Sequence, residues 1–220
     1  MKPLNFIHFF FLSIFVSRAA DDFVVADFSI GVDAKGIPMG WELKERSGRA
    51  DFSVLPVDGV QALQIRSSAS SYSFQKKVKV DLAEYPILCW KWNVTQLPEG
   101  GDFRHSRTDD QAAQLFVAFS RSKIISYIWD TSAPQGLVGD ALAPPTVSIK
   151  VVVVRSTAAD TGKWLTETRN VYEDYSKLFG KTGPPPLVSG VRIQINSQHT
   201  KSSAESSFAD IIFTRQGSTR

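Results

Sequence analysis

Two adjacent carboxylates, Asp109 and Asp110, end a polar segment that begins at Arg104 and leads into an apolar stretch at Leu115. Such carboxylates could bind a cation, accept a hydrogen bond from a sugar hydroxyl, or supply one acid of a glycosidase pair. Successive side chains diverge, so only one of them faces any given site. The second acid of a pair would then be Glu167, Asp174 or Asp210. A turn in which Asp109 caps local backbone amides is the alternative.

Arg169 lies in the segment from Trp164 to Tyr175, where a strand-like pattern leads into a short helical one. Its guanidinium could clamp an anionic group such as a uronate, or it could pair with a carboxylate of this chain. We favour the internal pair. The expected result is one half-buried polar network formed by Asp109, Asp110, Arg169 and Asp174.

Strand alternation predicts a face that mixes amide, cationic and aromatic groups. If the strands concerned share one sheet, that face presents Lys91, Asn93, Gln114, Phe116, Arg169, Gln194 and Asn196. The mixture suits a sugar, because hydroxyls need donors and acceptors while the CH face of the ring stacks on an aromatic side chain. A solvated outer sheet face is the alternative. The candidate ligand contacts also include Tyr127, Trp129, Asn170 and Asp174.

Several enzyme classes are disfavoured by the motifs that the sequence lacks. After residue 20 the only histidines are His105 and His199. There is no His-Glu-x-x-His helix, Gly-x-Ser-x-Gly elbow, phosphate loop or dinucleotide fingerprint. Zinc peptidases, serine esterases of the hydrolase fold and nucleotide enzymes are therefore disfavoured. We predict no metal site and no cofactor.

Residues 1–19 are predicted to be a signal peptide. A lysine at position 2 precedes an apolar run over residues 4–16, and small residues occupy positions 17 and 19. The run is too short to span a bilayer, so we expect a periplasmic or secreted protein without a membrane-spanning segment. Removing Lys2 and Arg18 from the 25 basic residues leaves 23 against 22 acidic ones. This balance disfavours a nucleic-acid partner.

Residues 20–220 are predicted to form a single all-β domain. Short alternating runs between Gly, Pro, Ser and Asp clusters predict strands at residues 23–30, 51–55, 62–67, 72–81, 87–94, 114–120, 124–129, 146–154, 164–171, 188–196 and 207–213. The segment from Val171 to Phe179 is the one helical candidate, and Gly180 supplies its stop. We predict a jelly-roll β-sandwich of galactose-binding-like type with one short helix. Its first and last strands should be neighbours.

Several segments together resemble a bacterial family of exported proteins, domain of unknown function 3047. They include the Leu-x-Trp-x-Trp strand within residues 86–93, the Asp-Asp-Gln-Ala-Ala run at 109–113, Tyr-Ile-Trp at 127–129, Trp164 with residues 169–175, Phe179-Gly180, and the tail from 204 to 211. The resemblance implies export and a sandwich fold and leaves the activity open. Relatives are expected to carry an arginine near Gln114 and acidic residues near Asn196 and Gln198. The amides of this chain would weaken a cation site there.

Three hypotheses for the function follow from these observations. The first is an exported module that binds a glycan or cell-envelope polysaccharide without turning it over. The second is a polysaccharide-active hydrolase or lyase that uses Asp109 or Asp110 with Arg169. The third is a structural or partner-binding protein of the cell envelope. A binding module needs one aromatic and polar face, whereas an enzyme needs two converging carboxyl groups.

Overall fold

The computed structural model describes residues 22–180 and 182–217, so the predicted signal peptide at residues 1–19 lies outside the described residues. Thirteen strands and one helix are found there. The elements are β1 (Phe23–Ala26), β2 (Glu42–Ser47), β3 (Asp51–Val57), β4 (Val60–Ser68), β5 (Ser71–Val80), β6 (Ile87–Gln96), β7 (Ala113–Ala118), β8 (Lys123–Asp130), β9 (Val138–Asp140), β10 (Ser148–Ser156), β11 (Leu165–Asn170), α1 (Val171–Phe179), β12 (Val188–Asn196) and β13 (Ser203–Thr214).

The strands form two sheets that pack face to face. The first sheet has the order β11, β6, β13, β4, β3, with β1 also paired to β13. The second sheet has the order β2, β5, β12, β7, β8, β10, β9. All pairs are antiparallel except β8 with β10, which run parallel. The predicted jelly-roll β-sandwich with one short helix is confirmed.

The predicted strands are found in the structure, and two further strands occur that the sequence patterns did not indicate. These are β2 and β9, which lie at the two edges of the second sheet. β2 reads Glu-Leu-Lys-Glu-Arg-Ser and is largely exposed, and β9 has three residues. Charged and very short strands are typical of sheet edges, where they prevent pairing with other chains. They carry little of the apolar alternation that identifies a strand.

Neighbouring first and last strands are also confirmed. β1 pairs with the end of β13, with Phe23 opposite Phe213. The core between the sheets is aromatic: Trp90, Trp92, Tyr127 and Trp129 are fully buried, and the rings of Trp90 and Tyr127 are stacked with centroids 5.4 Å apart. Trp90 and Trp92 therefore belong to the core.

The helix α1 has the predicted bounds because both of its ends are capped. The Asn170 side chain accepts a hydrogen bond from the Glu173 backbone N–H at 3.1 Å. Gly180 follows the last turn with φ of 59°, a left-handed conformation that glycine adopts without steric cost. Within the described residues, no helix has the length and apolar character needed to cross a membrane.

Candidate ligand-binding cleft

The outward face of the second sheet carries a long cleft. Two depressions in this face meet at Phe116 and Arg192, which line both of them. We call the whole feature the cleft. Its floor consists of the outward side chains of the central strands: Gln75, Gln114, Phe116, Ser126, Ile128, Arg192, Gln194 and Asn196. Strand alternation explains this set, because the neighbours of these residues along each strand point into the core.

Register aligns the floor residues into rows across the strands. Gln75, Arg192, Phe116 and Ser126 are successive cross-strand partners on β5, β12, β7 and β8, and Glu42 of β2 extends the row. In a second row Gln194 lies opposite Gln114. Adjacent strands lie about 4.8 Å apart, so each row offers polar groups at closely spaced positions.

Loops and the edge strands form the walls of the cleft. On one side the segment 141–147, between β9 and β10, contributes Leu142 and Pro144. On the other side lie Trp41 and Glu42 at the start of β2 and Arg46 near its end. The cleft therefore crosses the sheet between two raised borders.

Asp110 connects the loop before β7 to the loop after β12 at one end of the cleft. Its side chain is fully buried and accepts hydrogen bonds from the backbone N–H and the hydroxyl of Thr200 at 2.7 and 2.9 Å. Asn196 Nδ2 donates to Asp110 Oδ1 at 3.2 Å and to the Asp109 carbonyl at 2.7 Å. Gln114 in turn donates to Asn196 Oδ1. Asp110 is thus a structural acceptor, and amides occupy the neighbouring positions where the resemblance anticipates charged residues.

Asp109 is the carboxylate that lines this end of the cleft. It accepts a hydrogen bond from Gln111 Nε2 at 3.1 Å. Burial raises the pKa of Asp109, and the charge of Asp110 adds to this effect, while the Gln111 hydrogen bond and His199 oppose it. As expected, only one of the two adjacent carboxylates faces the cleft.

The Asp109→Asn variant is expected to be more stable than the original protein at neutral pH. A raised folded-state pKa means that ionisation of Asp109 weakens the fold as pH rises from the unfolded value, near 3.8, through the folded one. The melting temperatures of the two proteins should therefore converge below that window. Asp58→Asn, in an exposed turn, is the control. A stability difference that stays constant with pH would contradict the assignment.

Phe116 lies on the outward face, as alternation predicted, but its ring is covered. The guanidinium carbon of Arg192 lies 3.9 Å from the ring centroid, and Phe116 is 6% exposed. The expected open stacking platform for a sugar is therefore occupied by an arginine. Its neighbour Gln114 also faces the cleft.

The prediction that one sheet presents all the candidate residues is wrong. Lys91 and Asn93 belong to β6 of the first sheet, on the opposite side of the sandwich from the cleft. Lys91 pairs with Asp210 at 2.8 Å, and Asn93 is 1% exposed. The outward alternation of these residues was correct, but alternation does not determine which sheet a strand joins.

Tyr127 and Trp129 are corrected from ligand contacts to core residues. They alternate on β8 with Ser126 and Ile128, and it is the latter two that face the cleft. Trp129 donates from its indole N–H to the Thr157 carbonyl at 3.0 Å. Full burial between the sheets prevents either aromatic ring from contacting a ligand at the surface.

Arg169, Asn170 and Asp174 are likewise away from the cleft. Arg169 pairs with Asp174 at 2.6 Å, which confirms the favoured internal pair. The expected extension of this network to Asp109 and Asp110 is wrong. Arg169 aligns with Leu88 at the start of β6, whereas Asp110 is linked through Thr200 and Ser202 to the backbone just after the end of β6. Asn170 serves as the cap of α1.

The cleft residues that were not among the candidates include Gln75, Ser126, Arg192 and Arg46. The first three could have been found by alternation once their strands were assigned to the same sheet as β7. Arg46 could not have been found in this way, because β2 lacks an alternating pattern. Among the residues described, no group of three or more His, Cys, Asp or Glu side chains is arranged to hold a metal ion.

Comparisons with known proteins identify relatives at the level of family and of overall shape. Among curated proteins no sequence matches this chain significantly. The xyloglucanase domain of NopAA, an effector from Sinorhizobium fredii, is 13% identical with a TM-score of 0.49, covering 80% of this chain and 94% of the other. A family 11 carbohydrate-binding module from Clostridium thermocellum is 8% identical with a TM-score of 0.44, covering 90% and 96%.

Similarity of this degree says nothing about what the present chain binds. The family comparison is decisive, because residues 39–212 match the family described as a protein of unknown function, DUF3047. The matched range includes almost every strand of both sheets and the whole floor of the cleft. The resemblance inferred from the sequence segments is confirmed, and the chain belongs to the DUF3047 family.

Proposed function

We propose that this protein is an exported module that binds a glycan in the cleft without turning it over. The observation that supports the proposal is the floor itself, where amide side chains, a guanidinium and a hydroxyl lie in register along one sheet face. Sugar hydroxyls need both donors and acceptors, and amides offer both. Export is inferred from the signal-peptide pattern of residues 1–19.

Two floor groups are free to bind a ligand. The Gln194 amide makes no hydrogen bond with the chain as far as it is described, and it lines the cleft. The Ser126 hydroxyl is buried and lacks a partner within the same range. An unpaired buried polar group costs free energy, which a ligand hydroxyl would recover.

A polysaccharide-active enzyme is the second candidate, because Asp109 lies in the cleft with a raised pKa. Glycosidase chemistry needs a second carboxyl group at about 5–9.5 Å. Glu42 is the other carboxylate among the described lining residues, and it binds Lys44 and Gln75. Glu42 lies in the same row as Arg192, two strands away, and Asn196 lies four residues further along β12. The Cα of Glu42 is therefore about 16 Å from the end of the cleft that Asp109 lines. This separation favours binding over catalysis.

A glycan array on the purified protein, with a reducing-sugar assay on every bound glycan, tests the proposal. We expect retention of a glycan and no release of reducing ends. Gln194→Ala should weaken binding about 3- to 10-fold, the effect of losing one neutral hydrogen bond. Gln64→Ala, on the outward face of the first sheet, is the matched control and should leave the affinity unchanged.

Release of reducing ends would favour the enzyme, and Asp109→Asn would then be expected to abolish it. Absence of binding to any glycan would overturn the proposal and favour the third hypothesis, a structural or partner-binding envelope protein. Equal losses in Gln194→Ala and Gln64→Ala would show that the binding site lies elsewhere.

A further inference from the structure

Arg192 lies at the centre of the cleft floor without a counter-ion. It projects outward from β12 between Gln75 and Phe116, and one face of its guanidinium lies against the Phe116 ring. Within the described chain it makes neither an ion pair nor a hydrogen bond. Arginine carries five N–H donors in a rigid fork, and packing on an aromatic ring holds that fork in one orientation. The N–H edge therefore remains available to a ligand.

A second arginine, Arg46, lies near the first. It is the extra residue of a β-bulge in β2, where pairing with β5 shifts between Glu45 and Ser47. A bulge redirects a side chain, and Arg46 here lines the same part of the cleft as Arg192. Burial lowers the pKa of Arg192 to about 10, and the charge of Arg46 adds to this shift. Arg46 also lacks an ion pair with any residue that the structure describes.

The wider cleft is strongly cationic, although the chain after residue 19 is almost neutral. Among the described residues its lining holds two carboxylates, and one of them, Glu42, already binds Lys44 and Gln75. The positively charged residues of this described lining number five: Arg46, Lys76, Lys77, Arg121 and Arg192. Low-dielectric walls focus such a field and attract an anion.

The arrangement selects a carboxylate that is attached to a sugar. A guanidinium fork matches a carboxylate in a bidentate geometry, and the unpaired Ser126 hydroxyl lies one strand beyond Phe116 in the same row. Gln194 lies next to Arg192 on the same face of β12. One uronate residue would supply the carboxylate for Arg192 and hydroxyls for Ser126 and Gln194.

We propose that the cleft recognises an acidic glycan by binding a uronate carboxylate between Arg192 and Arg46. The proposal rests on the glycan-binding function proposed above and names the class of glycan. The two arginines relieve their mutual repulsion when an anion lies between them. The amides and the hydroxyl then determine which sugar carries that anion.

Calorimetric titration of the purified protein with uronate oligosaccharides tests the proposal. The probes are oligomers of galacturonate, glucuronate and mannuronate, each paired with its carboxyl-reduced neutral counterpart. We expect one acidic oligomer to bind at least tenfold more tightly than its neutral form, with an affinity that falls as salt rises. Arg192→Met should lower that affinity about 10- to 100-fold. Arg49→Met, an exposed arginine outside the cleft, should leave it unchanged.

The folding of Arg192→Met provides an independent measurement. Methionine preserves contact with Phe116 and removes a desolvated, unpaired cation, so the melting temperature should stay equal or rise by about 2 °C or more. A clear fall would show that Arg192 serves the fold rather than a ligand and would overturn the assignment. Arg192→Lys should fold and recover only part of the affinity, because an ammonium lacks the planar fork.

The remaining outcomes separate this inference from the function on which it rests. Equal binding of acidic and neutral oligomers would overturn the uronate assignment and leave glycan binding in place. Sulfated neutral oligomers are a further probe, and a preference for them over the carboxylated oligomers would also overturn the carboxylate assignment alone. Absence of binding to both the neutral and the acidic series would overturn the uronate assignment and the glycan-binding proposal together.

Discussion

Replacing Asp174 by alanine is expected to lower the free energy of unfolding by about 3 kcal/mol, which corresponds to about 6–12 °C in melting temperature. Asp174 Oδ2 accepts from the Tyr127 hydroxyl at 2.7 Å and from Arg169 Nε at 2.9 Å, and Oδ1 accepts from Arg169 Nη2 at 2.6 Å. Alanine leaves a fully buried phenol and a half-buried guanidinium without their acceptor. The Arg169 side chain is 36% exposed, so solvent screening holds the loss at the lower end for a broken ion pair.

The titration behaviour of this cluster follows from the same contacts. Burial, together with the negative charge of Asp174, holds the pKa of Tyr127 well above 10, so the phenol remains a donor across the physiological range. Burial alone would lower the pKa of Arg169, but the hydrogen bond and charge of Asp174 outweigh burial and raise it. Both donors therefore keep their protons while the protein is folded.

Two comparisons test the assignment by chemical denaturation. Arg169→Ala combined with Asp174→Ala should cost about 1–3 kcal/mol less than the sum of the single changes, because the residues are in contact. Arg169→Ala combined with Asp109→Ala should be additive within about 0.5 kcal/mol, because the two lie near opposite ends of β6. Asp174→Asn keeps an acceptor for Tyr127 and should lose less. Additive losses for Arg169 and Asp174 would contradict the network.

Replacing Glu167 by alanine is expected to cost about 3–4 kcal/mol, the larger of the two effects. Glu167 Oε1 accepts from the Trp92 indole N–H at 3.0 Å and from Arg155 Nε at 2.7 Å. Trp92 is fully buried, so its N–H would have no alternative acceptor in the core. Arg155 keeps its ion pair with Asp160 at 3.5 Å, which limits the loss.

Glu167→Gln is the matched control, because its amide oxygen still accepts from the indole while the charge opposite Arg155 is lost. Denaturant unfolding should rank the original protein, Glu167→Gln and Glu167→Ala in order of decreasing stability. Near-ultraviolet circular dichroism of the tryptophan cluster should change most in Glu167→Ala. Equal stability of the two variants would show that the indole hydrogen bond contributes nothing measurable.

Both networks include a charged side chain of β11. This edge strand alternates Glu167 and Arg169 toward the interior. Glu167 accepts from the Trp92 indole N–H, and Arg169 lies over the ring of Tyr127, whose hydroxyl donates to Asp174. These inward-pointing charges at a sheet edge are tolerated because each forms an ion pair, Glu167 with Arg155 and Arg169 with Asp174. Both networks lie away from the cleft, so variants that fold should bind a glycan with unchanged affinity.

Local patterns were sufficient for the parts of this structure that depend on local chemistry. The helix bounds followed from the apolar spacing and Gly180, and the alternation of β7 correctly placed Phe116 outward. The same period of two placed Trp90 and Trp92 together on one face of β6, and the structure shows that this face is the core. The segments that resemble DUF3047 were likewise recognised from the sequence without a structure.

The ion pair of Arg169 was also predicted in part from the sequence. Its pairing with a nearby carboxylate was expected, and Asp174, five residues away across a helix start, proved to be the partner. The sequence could not show which of the three candidate carboxylates binds Arg169, because Asp109 and Asp110 are close to Arg169 only if the loop before β7 lies beside β11. In the structure that loop does not lie beside β11.

Tertiary structure alone decided which strands share a sheet, and with that the composition of the cleft. Lys91 and Phe116 both point outward, yet β6 and β7 belong to opposite sheets, so the two side chains face away from each other. Strand partners are chosen by contacts between residues distant in sequence, and a period of two carries no information about them. Such pairings place Arg192 over the Phe116 ring and direct Arg46 into the cleft. No local sequence signal predicts either contact.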